Sequence, residues 1–208
     1  KDTELLAKEI SNKIKILEKN FNGNFWKLNG RPNIDNLREN FPEVDKLFLK
    51  KIKKTINNIL CSEFKVFYMV LNKNVGTKTD RTGSQLWHND GGPSTCINVM
   101  MYLDNVTTVT GPLEIIKWDY SKRLYWYERR NLKHKRNSFS KEEYRLHRSN
   151  MFDKIIKNWK QESYEICTGK QGTIILFSNN TYHRGGYPKL GNERKAIMLS
   201  ILCRDDFL

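Results

Sequence analysis

Between residues 64 and 203, short runs rich in β-branched and aromatic residues recur, punctuated by glycine, proline and asparagine. No other feature narrows the fold as far. Residues 64–71 (FKVFYMVL), 97–103 (INVMMYL), 111–116 (GPLEII), 163–167, 172–177 (GTIILF) and 195–203 (KAIMLSILC) are too short for persuasive helices and read as strands. Upstream, Leu5, Leu6, Ile10, Ile14 and Leu17 recur every three to four residues, which predicts an amphipathic helix over 3–20. Asn22-Gly23-Asn24 stops it, and Asn29-Gly30-Arg31-Pro32 is a turn signal. Val44, Leu47, Phe48, Ile52, Ile56 and Leu60 place a second helix over about 43–60. Many short strands behind two helices predict a mainly β protein, a sandwich or barrel with N-terminal helices as an outer layer.

One segment breaks the strand rhythm. Residues 117–160 hold fourteen lysines and arginines against five acids, so they carry most of the formal net charge of +14. Aromatic residues are interleaved, from Trp118 and Tyr125 to Phe152 and Trp159. We expect a basic helical insertion or lid over about 118–162, set into a core of 64–117 and 163–203, the whole chain forming a single domain. Such a balance favours an acidic partner: a nucleic acid, an anionic metabolite or a membrane surface. The rival reading is a set of solvated surface charges.

Cys61, Cys96, Cys167 and Cys203 are widely spaced without a paired motif, which suits reduced thiols in a cytoplasmic protein. No run approaches the roughly 18 apolar residues of a membrane span. The chain starts at Lys1 instead of Met, so residues are expected before it.

The chemistry gathers at residues 84–90 (SQLWHND). On an extended segment His88 and Asp90 project to the same side, because side chains alternate with period two. Imidazole plus carboxylate suits a divalent transition metal, and one distant histidine would complete a two-histidine, one-carboxylate face with open positions. His183 is the candidate, just past the apolar run ending at Phe177 and followed by Gly185 and Gly186. His134 and His147 sit among lysines and arginines and make poor ligands. Arg194, eleven residues after His183, could clamp a carboxylate with its planar fork.

The ordered set His88-x-Asp90, His183, Arg194 resembles the Fe(II)/2-oxoglutarate-dependent oxygenases, particularly the phytanoyl-CoA dioxygenase-like family. The surrounding words are similar too: Gln85-Leu86-Trp87, Met101-Tyr102-Leu103-Asp104, Gly111-Pro112-Leu113-Glu114-Ile115-Ile116, and the Gly172–Phe177 block before His183-Arg184-Gly185. The resemblance implies a double-stranded β-helix (jelly-roll, cupin-like) core. It implies Fe(II) held by His88, Asp90 and His183, with 2-oxoglutarate and O2 as co-substrates and Arg194 on the far carboxylate. Tyr68, Asn98 and Ser200 are further candidate co-substrate contacts, and Gln85, Trp87 and Trp118 candidate substrate contacts. Asp90 favours oxygenation, since related halogenases replace this carboxylate with a small residue. The implied reaction is hydroxylation of a small metabolite, with release of succinate and CO2; the positively charged segment 117–160 would favour an anionic one over a neutral one.

Two departures bear on the site, the first on the substrate and the second on a co-substrate contact. Where relatives commonly follow the GPLEII-like strand with a proline-glycine-serine-histidine turn, this chain runs Lys117-Trp118-Asp119-Tyr120. Ser200 follows Arg194 by six residues, not two. Rival readings are a nucleic-acid-binding protein, or an oxygenase acting on nucleic acid, through the basic aromatic insertion. A cupin-like metalloenzyme using no oxoacid is a third.

Overall fold

Helix α1 (Asp2–Asn20) has Asp2 and Glu4 in its first turn and Lys19 in its last, both favourable to the helix dipole. Its buried stripe is Leu6, Ala7, Ile10, Ser11 and Ile14. This is a computed structural model that describes residues 2–27, 30–79, 81–91, 93, 96–159 and 161–203; Leu28, Asn29, Gly92 and Lys160 lie outside the described residues, as do the side chains of Leu47, Phe48 and His134. After the short α2 (Leu37–Asn40) and a wide π-type turn (Val44–Leu49), α3 (Lys50–Leu60) buries Ile52 and Ile56 and turns its lysines to solvent. Cys61 ends it in the left-handed region, at φ 52°.

Among the described residues, seven strands follow in two antiparallel sheets. The larger is ordered β1 (Phe64–Val75), β7 (Glu193–Cys203), β2 (Ile97–Tyr102), β5 (Ile174–Ser178). The smaller is ordered β4 (Tyr164–Cys167), β3 (Leu113–Ile116), β6 (His183–Gly185). Register assigns the two faces of the larger sheet. Leu71, Ile197, Met101 and Ile174 align across it on one face, as do Met69, Leu199, Val99 and Leu176; these pack on α1 and α3. Met100, Tyr102, Ala196 and Phe177 point the other way and meet Leu113 of the smaller sheet. With both faces covered, β2 is buried at every position. The result is a jelly-roll whose larger sheet is backed by helices.

The structure differs from the sequence reading around the site-bearing strands. β1 continues to Val75 because Asn72 and Asn74 pair with Ala196 and Arg194 of β7; ladder hydrogen bonding holds residues that polarity alone assigns to a loop. β7 begins at Glu193, which puts Arg194 inside a strand. His183 likewise lies in β6, a strand of its own.

The basic segment forms α4 (Trp118–Tyr127), a wide turn (Glu128–Leu132), a tight helical stretch (Lys133–Ser138) and α5 (Lys141–Lys157). Ser140 caps α5 reciprocally with Glu143: the Ser140 N–H donates to Glu143 Oε2 at 2.8 Å, and the Glu143 N–H to Ser140 Oγ at 3.3 Å. Its apolar side, Leu124, Leu132, Tyr144, Phe152 and Ile156, closes on Trp87, Ile116 and Tyr182 of the jelly-roll. The segment is therefore a packed layer built against the strands that carry the motif.

Candidate metal centre

Two backbone hydrogen bonds place the first pair of ligands. His88 and His183 lie opposite each other in an antiparallel bridge, N–H to O at 3.0 Å one way and 2.8 Å the other. Residues so paired carry their side chains on one face, and the two imidazole centroids are 4.4 Å apart. Asp90, two residues on, returns to that face while its N–H is fixed to the carbonyl of Asn179 at 2.9 Å. The Asp90 carboxylate lies 3.7 Å from His88 Nε2 and 3.6 Å from His183 Nε2. The three ligand atoms fall within 4.8 Å of one another, a cluster able to hold one metal ion.

Both rings present the correct nitrogen. His88 Nδ1 is 2.7 Å from the Leu86 carbonyl and His183 Nδ1 2.8 Å from that of Thr181. A carbonyl only accepts, so each Nδ1 carries the proton and each Nε2 lone pair faces Asp90. Burial first, then the neighbouring His183, pushes His88 down to about 4, against the opposing pull of the Leu86 carbonyl and Asp90. Burial also lowers His183. Two neutral imidazoles and one carboxylate at neutral pH suit iron(II).

A polar relay holds Asp90. Ser200 Oγ donates to Asn98 Oδ1 at 2.7 Å, and Asn98 Nδ2 donates to Asp90 Oδ2 at 2.8 Å. A carboxylate only accepts, so Asp90 takes the amide's Nδ2 end and leaves Oδ1 to accept from the Ser200 hydroxyl. Asn98 and Ser200, expected beside the oxoacid, thus stand behind a metal ligand. Tyr68 pairs with Ser200 across the ladder and shares its face.

Deeper in the barrel, Arg194 is 3% exposed, and its Nε and Nη1 have no hydrogen-bond partner among the described residues. Burial pushes its pKa down, opposed by Tyr102. A buried guanidinium with idle donors is costly. The space before it is kept by Gly185, where a Cβ would come within 3.2 Å of Arg194 Nη2 and 3.1 Å of Asn74 Nδ2. An incoming carboxylate would satisfy those donors, so the residues present fit both an iron ion and a 2-oxoacid.

Beyond the triad opens a cavity of about 830 Å³, lined by His88, Asn89 and Asp90 on one side and by Tyr125, Phe139, Arg145 and others of the basic segment on the other. The three residues expected to meet substrate lie away from it. Trp87 is 1% exposed, donates from Nε1 to Asp153 Oδ1 at 2.9 Å, and lies under the Arg184 guanidinium at 4.2 Å. Gln85 caps a tight turn, accepting from the Thr82 N–H at 3.3 Å. Trp118 is an exposed residue at the start of α4 and is not among the cavity residues.

Several residues here escape a reading of the sequence. Arg184 binds Glu114 at 2.8 Å and Asp153 at 2.8 Å, tying His183's neighbour to α5. Arg148 pairs with Glu128 at 3.0 Å and donates to the Trp87 carbonyl at 3.1 Å. Glu128 also accepts from the hydroxyls of Tyr144 and Tyr182. The residues preceding both histidine ligands are thus gripped by one ion pair from the basic helical segment. Only the charges themselves are visible in sequence.

A jelly-roll carrying a two-histidine, one-carboxylate face and a buried arginine defines the class of iron(II)- and 2-oxoglutarate-dependent oxygenases. The chain belongs to the phytanoyl-CoA dioxygenase family, whose model matches residues 14–195. No curated protein matches it. Among solved structures it is similar to EctD from S. alaskensis with 2-oxoglutarate and 5-hydroxyectoine (TM-score 0.61, 16% identity, covering 96% of this chain and 68% of that one). It is similar also to the carbocyclase SnoK from nogalamycin biosynthesis (0.61, 12%, 95% and 74%). HygX from Streptomyces hygroscopicus, with nickel and 2-oxoglutarate bound, gives 0.60, 10%, 96% and 78%. At such identities these neighbours speak for the fold.

Proposed function

We propose that this oxygenase hydroxylates a small organic molecule, with His88, Asp90 and His183 holding iron(II) and Arg194 holding the far carboxylate of 2-oxoglutarate. The carrying observation is the idle, buried Arg194 guanidinium in the same barrel interior as the triad. A metal site alone needs no such group; an oxoacid with a second carboxylate does. Bound iron supplies oxygen activation coupled to oxidative decarboxylation of the oxoacid. In the net reaction one oxygen atom enters succinate and the other becomes the product hydroxyl, with CO2 released.

The protein's own share is binding and orientation. The Leu86 and Thr181 carbonyls fix the histidine tautomers, and Asn98 and Ser200 aim Asp90. Phe177, its ring centroid 4.8 Å from that of His183, walls the site on the barrel side. The insertion walls the substrate side, and its basic residues favour an anionic substrate over a neutral one.

Incubation with iron(II) and 2-oxoglutarate should yield succinate, and His88→Ala and Asp90→Ala should abolish it. Protein that binds neither iron nor 2-oxoglutarate sinks the proposal.

A further inference from the structure

The cavity over the triad has a rim whose charges are not neutralised. Arg129, Arg136, Lys141 and Arg145 line it. Among the described residues, Arg145 has one carboxylate partner, Glu142 at 3.7 Å, an exposed pair of little strength. No ion pair among the described residues engages Arg129, Arg136 or Lys141. Arg129 donates to the Tyr125 hydroxyl at 3.3 Å, which leaves its charge uncompensated. Deeper in, Arg148 is already committed to Glu128 and the Trp87 carbonyl. Glu128 and Asp90 are the carboxylates among the lining residues, and both have assignments: one to Arg148, the other to the metal face.

Four cations converging on one concave space repel one another, and the protein walls concentrate their field there. Guanidinium forks match the paired oxygens of phosphate and carboxylate. Tyr125, Phe139 and Tyr144 line the same space and offer apolar area to an organic body. A volume of about 830 Å³ is that of a small-molecule site. A track for a nucleic acid would instead string its cations along an open groove with stacking aromatics.

We infer that the substrate is an organic dianion, a phosphate monoester or a dicarboxylate, whose head group is held at the rim by Arg129, Arg136, Lys141 and Arg145 while its body reaches toward His88 and Asp90. This rests on the oxygenase reading above and specifies its substrate class.

The test uses protein loaded with iron(II) and saturating 2-oxoglutarate, loading being checked by the visible charge-transfer absorption of that pair. Calorimetric titration at low salt then compares phenyl phosphate, benzylmalonate, neutral benzyl alcohol and a single-stranded oligonucleotide. At least one dianion should bind at least about tenfold more tightly than benzyl alcohol, and the two dianions tell phosphate from dicarboxylate recognition. Arg136→Gln with Arg145→Gln should weaken that dianion at least about tenfold. Lys15→Gln with Lys19→Gln on α1 removes equal charge from an exposed surface and should change it less than about twofold. If the paired arginine variant does not fold, Arg129→Gln and Lys141→Gln carry the same expectation singly. Equal binding of benzyl alcohol, equal loss in both double variants, or oligonucleotide binding without dianion binding overturns the inference alone. Failure of the absorption to form overturns the oxygenase reading, and the substrate class with it.

Discussion

At the scale of single residues, the site depends on groups that serve the ligands as much as on the ligands. Asn98 is the sharpest case, because its amide is the donor to Asp90 Oδ2. Replacing it with alanine should lower iron affinity about 10- to 100-fold, the usual effect of losing a partner behind a metal ligand. Titration against a competing chelator reads this, and unchanged affinity would show that the relay is dispensable. Arg194→Met should act in opposite directions on two measurements. It should weaken 2-oxoglutarate by about 2–5 kcal/mol, as for any truncated charge pair. It should also raise the melting temperature of the ligand-free protein, because an unpaired buried cation is removed. A fall in both would mean the guanidinium is structural.

The histidines make a residue-scale prediction about acid. His88 is held at about 4 in the folded chain against its ordinary 6.5. Below 6.5 the unfolded chain takes up a proton that the folded one refuses. The stability is therefore fully present above 6.5 and is lost as pH falls toward about 4. His183 is lowered in the same direction. Urea unfolding of ligand-free protein between those pH values should show the decline, and His88→Gln should flatten it.

At the scale of elements, α5 is the piece that joins substrate wall to metal face. Phe152 is fully buried against Tyr182, ring centroids 4.9 Å apart, and Phe152→Ala should cost about 3–5 kcal/mol in urea unfolding. Arg148→Met leaves Glu128 half-enclosed without its cation and should cost about 3–5 kcal/mol. Adding Glu128→Gln should recover part of that loss, since the stranded charge goes with it. Strict additivity of the two substitutions would mean that Arg148 and Glu128 do not act as a pair. Element existence was largely legible in sequence: α1 and α3 follow from helical periodicity, and most strands from short β-branched and aromatic runs between turn residues. The ends of β1 and β7 were not, because Asn72, Asn74 and Arg194 look like loop or strand-edge residues until the partner strand is known.

At the scale of the whole molecule, iron and 2-oxoglutarate should bind the folded chain and not the unfolded one. At one hundred times its dissociation constant, a ligand of that kind adds about 2.7 kcal/mol. A thermal shift on adding a redox-inert divalent ion with 2-oxoglutarate, reversed by chelator, is the expected result. The positive balance also belongs to this scale. Part of the basic segment's aromatic content is packing: Tyr144 and Phe152 are buried in its core, with Tyr120 and Trp159 packed against it. Part of its charge faces the cavity. Another part, Arg123 and Arg130, lines a second, smaller hollow with Trp126 and Tyr127.

What the residues determined by themselves is local and chemical. Period-two spacing puts His88 and Asp90 on one side, Gly185 allows a close approach, and the apolar runs are bound to become strands. Which distant groups meet is a long-range matter that no spacing encodes. The bridge that sets His88 against His183, the relay from Ser200 through Asn98 to Asp90, and the grip of Arg148 and Glu128 on both histidine strands each join residues far apart in the chain. They were decided by the register of two sheets and the packing of one helical layer, because only there do burial and hydrogen bonding choose among many equally polar candidates.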